Sequence, residues 1–331
     1  MIAALCACAA LSGAVFAKTL DIYFIDVEGG QSTLIVTPAG QTLLIDAGYG
    51  AREGRDPGRI MAAARDAGIE RIDYLLITHL HPDHVGGVPE LSARIPIGTF
   101  IDYGAPLGAD RMATNAFRAY EPIRAKGAHL VPRPGDRLPL NDLLADVVSA
   151  GGALLPKPLK GAGRKTAGCD TIEPQIEDGT ENYRSVGVRI QFGEFRFLDI
   201  GDLSGQPLVD LFCPKNLVGE VSAYLVAHHG NYDTNMPPIY GALRAQVAIM
   251  NNGVMKGGDP AALTTVRRHP GLDLWQLHAS HNEGAINADE RFLANLDDGQ
   301  TGYWLKLSAS KDGSFTVSNE RTGFTARYPG K

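Results

Sequence analysis

Thr78-His79-Leu80-His81-Pro82-Asp83-His84-Val85-Gly86-Gly87 places four side chains able to bind a metal within six consecutive positions, from His79 to His84. Just before them, Arg71 to Thr78 reads as a strand whose Leu75-Leu76-Ile77 run is apolar on both faces. A loop leaving such a strand can aim several side chains into one cleft. His79 and His81 are two apart, so an extended chain turns them to the same side. Asp83 and His84 can then turn to a second point nearby. Imidazole nitrogen with carboxylate oxygen suits zinc, as one or two ions, with manganese or iron as alternatives. The bland alternative is a solvated histidine-rich turn, although here the cluster follows a buried strand.

Upstream, Thr19 to Val27 reads as a strand. Gln31 to Pro38 and Gln41 to Ala47 are apolar, β-branched runs about Ala39-Gly40, which predicts a hairpin. Ile60 to Ala67 shows helical spacing and stops at Gly68. Downstream, Gly151 to Thr180 is rich in Gly, Pro and Lys and is expected to form a mobile surface loop beside the active site. Ser185 to Phe192 and Phe195 to Ile200 predict a hairpin across Gly193-Glu194 that leads into Gly201-Asp202. Val221 to Ala227 reads as a strand ending in His228-His229-Gly230. Val247 to Met250 and Leu274 to Leu277 predict strands, and Pro260 to His269 and Ala288 to Leu296 predict helices. Hairpin-rich segments in each half, flanked by helices, predict two sheets packed face to face with helices outside. This is an α/β fold, an αβ/βα sandwich, expected as one domain over residues 18–331.

Thr78 to Gly87 resembles the signature of the metallo-β-lactamase superfamily. The resemblance extends to Leu43-Leu44-Ile45-Asp46-Ala47-Gly48, to Phe197-Leu198-Asp199-Ile200-Gly201-Asp202-Leu203, and to Leu225-Val226-Ala227-His228-His229-Gly230, in the family's order. The doubled histidine before Gly230, with Asn182-Tyr183-Arg184-Ser185 before a Val-rich strand, looks most like the hydrolase domain of bacterial DNA-uptake competence proteins, the ComEC-like branch. The resemblance implies one ion on His79 and His81 and a second on Asp83 and His84, bridged by Asp202. It implies His229 as the last ligand, with His228 beside it as a group that protonates the leaving group. Asp46 would hydrogen-bond a ligand and hold its orientation. One departure stands out: the family's further first-site histidine is missing, and Asn182 to Ser185 occupies its expected place. His129 lies far before that strand. Water or Asn182 would then complete the first site, leaving it the weaker of the two.

Other residues carry looser expectations. His278 and Asn251 end strands and could face the cleft, and Lys256 and Arg184 are candidate phosphate or carboxylate contacts. The glycine-rich stretches fit neither a P-loop nor a nucleophile elbow. With 31 basic and 37 acidic residues the net charge is −6, which argues against a protein held on nucleic acid mainly by phosphate neutralisation. Ile2 to Phe16 is apolar and Ala17 is small, so residues 1–17 read as an export signal and predict a periplasmic or secreted protein. No later stretch is long and apolar enough to predict a membrane span. Cys169 and Cys213 would be the cysteines left after cleavage, and sequence leaves their pairing open.

The function expected is exported, metal-dependent hydrolysis by a metal-bound hydroxide that Asp83 orients, probing phosphodiesters first. A nucleic-acid-derived or cell-envelope phosphodiester is the implied substrate. The alternatives are a lactone or ester hydrolase, including acyl-homoserine lactones, and a non-catalytic binding protein with a degenerate site.

Overall fold

The computed structural model describes residues 19–173, 175, 179–297 and 301–331, and the expected export signal lies outside them. Six strands come first: β1 (Leu20–Phe24), β2 (Thr33–Val36), β3 (Thr42–Ile45), β4 (Ile72–Leu76), β5 (Ile97–Ile101) and β6 (Ala128–Leu130). A second set follows as β7 (Leu144–Ala150), β8 (Ala153–Leu154), β9 (Gly187–Phe192), β10 (Phe195–Asp199), β11 (Ala223–Leu225), β12 (Val247–Met250), β13 (Asp273–His278) and β14 (Leu293–Asn295). The last three, β15 (Leu305–Ala309), β16 (Phe315–Asn319) and β17 (Thr325–Tyr328), return to the first sheet. That sheet is ordered β17-β16-β15-β1-β2-β3-β4-β5-β6, and the second β14-β13-β12-β11-β10-β9-β7-β8. The helices are α1 (Arg55–Asp66), α2 (Pro82–Val85), α3 (Val88–Ser92), α4 (Arg111–Arg124), α5 (Gly205–Phe212), α6 (Pro237–Leu243) and α7 (Pro260–Arg268).

Strand alternation builds the layers. Phe197, Leu225, Val247, Ile249 and Trp275 face the first sheet, while their neighbours Leu198, Tyr224, Ala248 and Leu274 pack with residues of α5, α6 and α7. With both faces covered, these strands read as nearly unbroken apolar runs. Phe24 and Phe197 meet edge to face across the sheets with centroids 5.6 Å apart, and Phe195 meets Phe315 at 5.4 Å. From the first sheet's side, α1, α3 and α4 bring Ile60, Leu91, Phe117 and Tyr120 to the same core. The αβ/βα sandwich expected from the sequence is the architecture observed.

Two expectations need correction. Ala288 to Leu296 is not a helix: a short turn at Glu290–Phe292 leads into β14, where Leu293 pairs with Gln276 of β13. There Asn295 Nδ2 donates to Leu277 O at 2.8 Å, so pairing at a sheet edge overrides a short helical pattern. The sequence reading also assigned nothing to α4 or to β15–β17. Finally, within the stretch expected as a loop beside the active site, residues 159–166 run along the chain that follows α5, with Leu159 N donating to Leu217 O, Gly163 N to Asn216 O and Thr166 N to Pro214 O. Cys169 and Cys213 form a disulfide that ties it there. Just beyond the segment, Asn182 approaches the histidine pair.

Candidate metal centre

The centre forms where strands of both sheets end. Beyond β3, Asp46 is fully buried in a left-handed conformation, φ 60°. Its Oδ1 accepts from Thr78 N–H at 2.7 Å, and its Oδ2 accepts from Thr78 Oγ1 at 2.6 Å and from His84 Nδ1 at 2.7 Å. Those bonds lock the loop after β4 and turn His84 Nε2 outward from the carboxylate. Pro82 opens the single turn of α2, which sets Asp83 and His84 side by side. Asp202 follows Gly201 beyond β10, and His229 follows β11 with φ 57°. Close backbone approaches seat these loops: a Cβ at Gly30 would lie 2.4 Å from Asp83 O, and one at Gly257 would lie 2.3 Å from His229 O.

Asp83, His84, Asp202 and His229 converge, all buried. His84 Nε2 lies 3.3 Å from Asp83 Oδ2 and 3.2 Å from Asp202 Oδ2. His229 Nε2 lies 3.4 Å and 3.2 Å from the same two oxygens. A tetrahedral ion with bonds of about 2.0–2.2 Å needs ligand atoms about 3.3–3.6 Å apart. Both ring nitrogens and Asp202 Oδ1 are buried without a hydrogen-bond partner, as donor atoms awaiting a cation would be. Burial alone would raise both carboxyls. His84 and His229 outweigh it and hold Asp83 and Asp202 well below the usual carboxylate range. Burial likewise pushes His84 down, but Asp202, Asp83 and Asp46 raise it well above the ordinary imidazole value. This donor set fits a divalent ion.

His79 and His81 lie alongside. His79 Nε2 is 2.9 Å from His81 Nδ1 and 3.8 Å from Asp202 Oδ2. His81 Nε2 is held by Asp110 Oδ2 at 2.8 Å, a carboxylate at the N-cap of α4. His228 points its Nε2 to within 3.7 Å of Asp202 Oδ2, and its Nδ1 lies 2.9 and 3.0 Å from the Asp233 oxygens. Asn182 is buried, with Nδ2 3.5 Å from His228 Nε2 and Oδ1 unpartnered. Lys256 Nζ donates to Asp83 Oδ2 and, at 3.2 Å, to Tyr49 Oη. Asp110, Asp233 and Tyr49 were missed in the sequence. Only Asp110 left a signal there, as a helix-capping residue, and nothing local tied it to His81.

The looser candidates separate. Asn251 is buried, and its Nδ2 donates to Gln31 Oε1 at 3.4 Å. His278 joins Asp26 and Glu28 in another group. Arg184 is committed elsewhere: it donates to Ala105 O at 3.1 Å and Glu181 Oε2 at 3.2 Å and stacks on the Tyr103 ring. His129 bonds Asp102 at 3.0 Å at the edge strand β6. Among the described residues no helix is long and apolar enough to cross a membrane.

The family model of the metallo-β-lactamase superfamily matches residues 25–159. An atrochrysone carboxyl ACP thioesterase from Aspergillus terreus is 40% identical over 67 residues, 20% of this chain and 20% of that protein. A hydroxyacylglutathione hydrolase from Stenotrophomonas maltophilia is 38% identical over 63 residues, 19% of this chain and 21% of that one. A ribonuclease Z from Mycolicibacterium paratuberculosis is 38% identical over 80 residues, 24% of this chain and 26% of that one. The matches thus span about a fifth to a quarter of these curated relatives. Among solved structures, a metallo-β-lactamase fold protein from Bacillus subtilis superposes with a TM-score of 0.46 at 11% identity, over 78% of this chain and 96% of that one.

Proposed function

We propose that this chain, which carries the metallo-β-lactamase fold, is an exported metal-dependent hydrolase acting on phosphodiester bonds. The observation that carries the reading is the group of four buried donor residues whose ring nitrogens and carboxylate oxygens stand 3.2–3.4 Å apart. What divalent ions supply in such a site is an acidified water and a polarised phosphoryl or carbonyl oxygen. Asp83 accepts a hydrogen bond from the attacking water and orients it. Asp46 keeps His84 in one tautomer by accepting its Nδ1–H. Lys256 reaches the group from a side chain 40% exposed, so it can let go of Asp83 and take an anionic oxygen of the substrate. Arg52 lies 3.9 Å over the Tyr49 ring and adds a second cation on the same side. Those two cations support a phosphodiester over a neutral ester. The relatives' names include a ribonuclease and a thioesterase, so both bond types have precedent. The net charge of −6 does not favour a long nucleic acid as substrate.

The ester or lactone reading has one observation of its own. Tyr232 and Met255, beside the histidine pair and Lys256 in the chain, are 73% and 64% exposed and could hold an acyl group. Export is supported by the apolar run at Ile2 to Phe16 and by the Cys169–Cys213 disulfide, a bond typical of oxidising compartments. The test is metal content by elemental analysis together with turnover of p-nitrophenyl phosphodiesters, lactones and a cephalosporin. Phosphodiester turnover that follows metal content is expected. Lactone turnover alone would move the assignment to the second reading, and metal-loaded protein inert on all three would point to a binding protein.

A further inference from the structure

From Val147 to Cys169 the chain holds Lys157, Lys160, Arg164 and Lys165 and not one acidic residue. The hydrolytic reading uses none of these cations. Beside the chain that follows α5, this stretch closes a cavity of about 300 Å3, lined among others by Lys160, Arg164, Arg189, Arg196, Asn216 and Glu220. That volume lies at the lower end for small-molecule sites. Four cations line it against one carboxylate. A second cavity of about 740 Å3 shares Arg164, Asn216 and Glu220 with the first and adds Lys165, Arg244 and His269. The metal centre is elsewhere. Arg196 stands near the start of β10 and Asp202 lies beyond its end, roughly 20 Å away along extended chain. Arg189 pairs with Leu198 and Arg196 precedes Leu198 by two, so both arginines sit on the face turned from the first sheet.

The cavity floor is fixed by buried polar groups. Asn216, 4% exposed, donates from Nδ2 to Gly219 O at 3.1 Å and Ala242 O at 2.9 Å. Its Oδ1 accepts from Val218 N–H at 2.9 Å and Gly219 N–H at 2.8 Å. Arg189, equally buried, donates from Nη1 to Val218 O at 2.8 Å and from Nη2 to Asp146 Oδ2 at 3.1 Å. The Cys169–Cys213 disulfide and the bond from Gly163 N–H to Asn216 O hold the basic stretch against this floor. The cations around it are thinly neutralised. Glu220 is shared by Arg164 at 2.9 Å and Arg244 at 3.3 Å, and Lys160 and Lys165 form no ion pair among the described residues. Burial pushes Arg189 below the ordinary guanidinium value; Asp146 opposes this, while Arg196 and Arg137 add to it. A concave wall carrying one sign of charge concentrates the opposite ion.

We propose that this cavity binds a dense phosphate group, a diphosphate or its like, at a site separate from the metal centre. Arg164 and Arg196 offer forked donors to phosphate oxygens, and Lys160 adds a point charge. The wider neighbouring cavity, walled by Pro237, Pro238 and Pro270, takes the group that the phosphate carries. A soluble diphosphate ester and a lipid diphosphate headgroup present the same chemistry.

The experiment is calorimetric titration of the full-length protein with pyrophosphate, before and after metal removal. The affinity should be the same in both states. Arg196→Gln should weaken it by roughly 10–100-fold, and Lys160→Gln with Arg164→Gln by at least as much, the scale of a lost charge-assisted hydrogen bond. Glu220→Gln removes the competing carboxylate and should tighten binding, a gain that damaged folding does not produce. Lys126→Gln, at an exposed lysine just beyond α4, should change nothing. Sedimentation with phosphatidylcholine vesicles carrying a polyprenyl diphosphate, competed by pyrophosphate, would identify a lipid headgroup as the source. Pyrophosphate binding without vesicle recruitment would identify a soluble one. No pyrophosphate binding, binding that disappears with the metal, or equal loss in Lys126→Gln would overturn the proposal, and each leaves the metal-dependent reading standing.

Discussion

Two buried groups in this protein use the same side chains to opposite ends. Asp83, His84, Asp202 and His229 form one, and Asp26, Glu28 and His278 form the other. In the second group the protein supplies its own cation. Arg59 Nη1 donates to Asp26 Oδ2 at 2.8 Å, to Asp26 O at 3.1 Å and to Glu28 Oε1 at 3.2 Å, from a side chain 5% exposed. His278 lies against the same carboxylates, its Nε2 3.4 Å from Glu28 Oε2. Among the described residues the Lys or Arg side chain that reaches the first group is Lys256, long and partly in solvent. A cluster of histidine and carboxylate is therefore no metal site by composition. The proposed metal site is the group that, among the described residues, no fixed guanidinium balances.

Removing the shared carboxylate should break the comparison most severely. Asp202→Ala is expected to lose bound metal and lower kcat/KM by roughly 1000-fold or more, since several kcal/mol of charge stabilisation go with the ions. Normal metal content with full activity would mean that Asp202 is not a ligand. Next comes the internal cation. Arg59→Met leaves two carboxylates uncompensated and should cost about 3–5 kcal/mol in urea unfolding, with metal content unchanged. If divalent ions restored the stability of that variant, the second group would be a latent metal site and the contrast would fail.

A pH experiment sharpens the same contrast. Burial, against the opposing charges of Arg59 and His278, pushes Asp26 up to about 6. The fold then prefers its protonated form, so this contribution is full below the unfolded value and disappears as pH rises through about 6. Burial lowers His278, but Glu28 and Asp26 outweigh it and raise its value, which adds loss in the same direction. Glu28 is held low by His278 and Arg59 against burial and acts oppositely, on the acid side of that window. Stability should fall between pH 5 and pH 7.5, with Asp26 contributing about 1.4 kcal/mol of the loss over that window. Asp26→Asn should flatten the profile, and a wild-type curve already flat would contradict the account. The smallest effect is expected at Asp46. Asp46→Asn keeps the shape but weakens the hold on His84 Nδ1, and should reduce metal affinity by roughly 10–100-fold in a chelator titration. No change would mean that Thr78, which also lies near that nitrogen, suffices to orient the ring.

Much of this was legible in the chain because the chemistry is local there. His79, His81, Asp83 and His84 share one loop, and the β9–β10 hairpin across Gly193-Glu194 is written in adjacent runs. Lys256 was legible as a cation and not as a neighbour of Asp83, 173 positions away. Arg184 looked equally available until Glu181 and Ala105 O took its donors. The strand β14 was misread because its only warrant is parallel pairing with β13, and no short-range pattern encodes a partner strand.

The sequence by itself determined the sandwich layers and the hairpins, since apolar alternation is a property of neighbouring residues. Tertiary structure alone decided which carboxylate backs which imidazole: Asp46 for His84, Asp110 for His81, Asp233 for His228. It also decided that Asp26, Glu28 and His278 would be neutralised by Arg59. Most of those pairings join residues from separate elements, brought within 3 or 4 Å by sheet order and helix placement. A carboxylate's role follows from the charge and the nitrogen it meets after packing, and its position along the chain does not record that encounter.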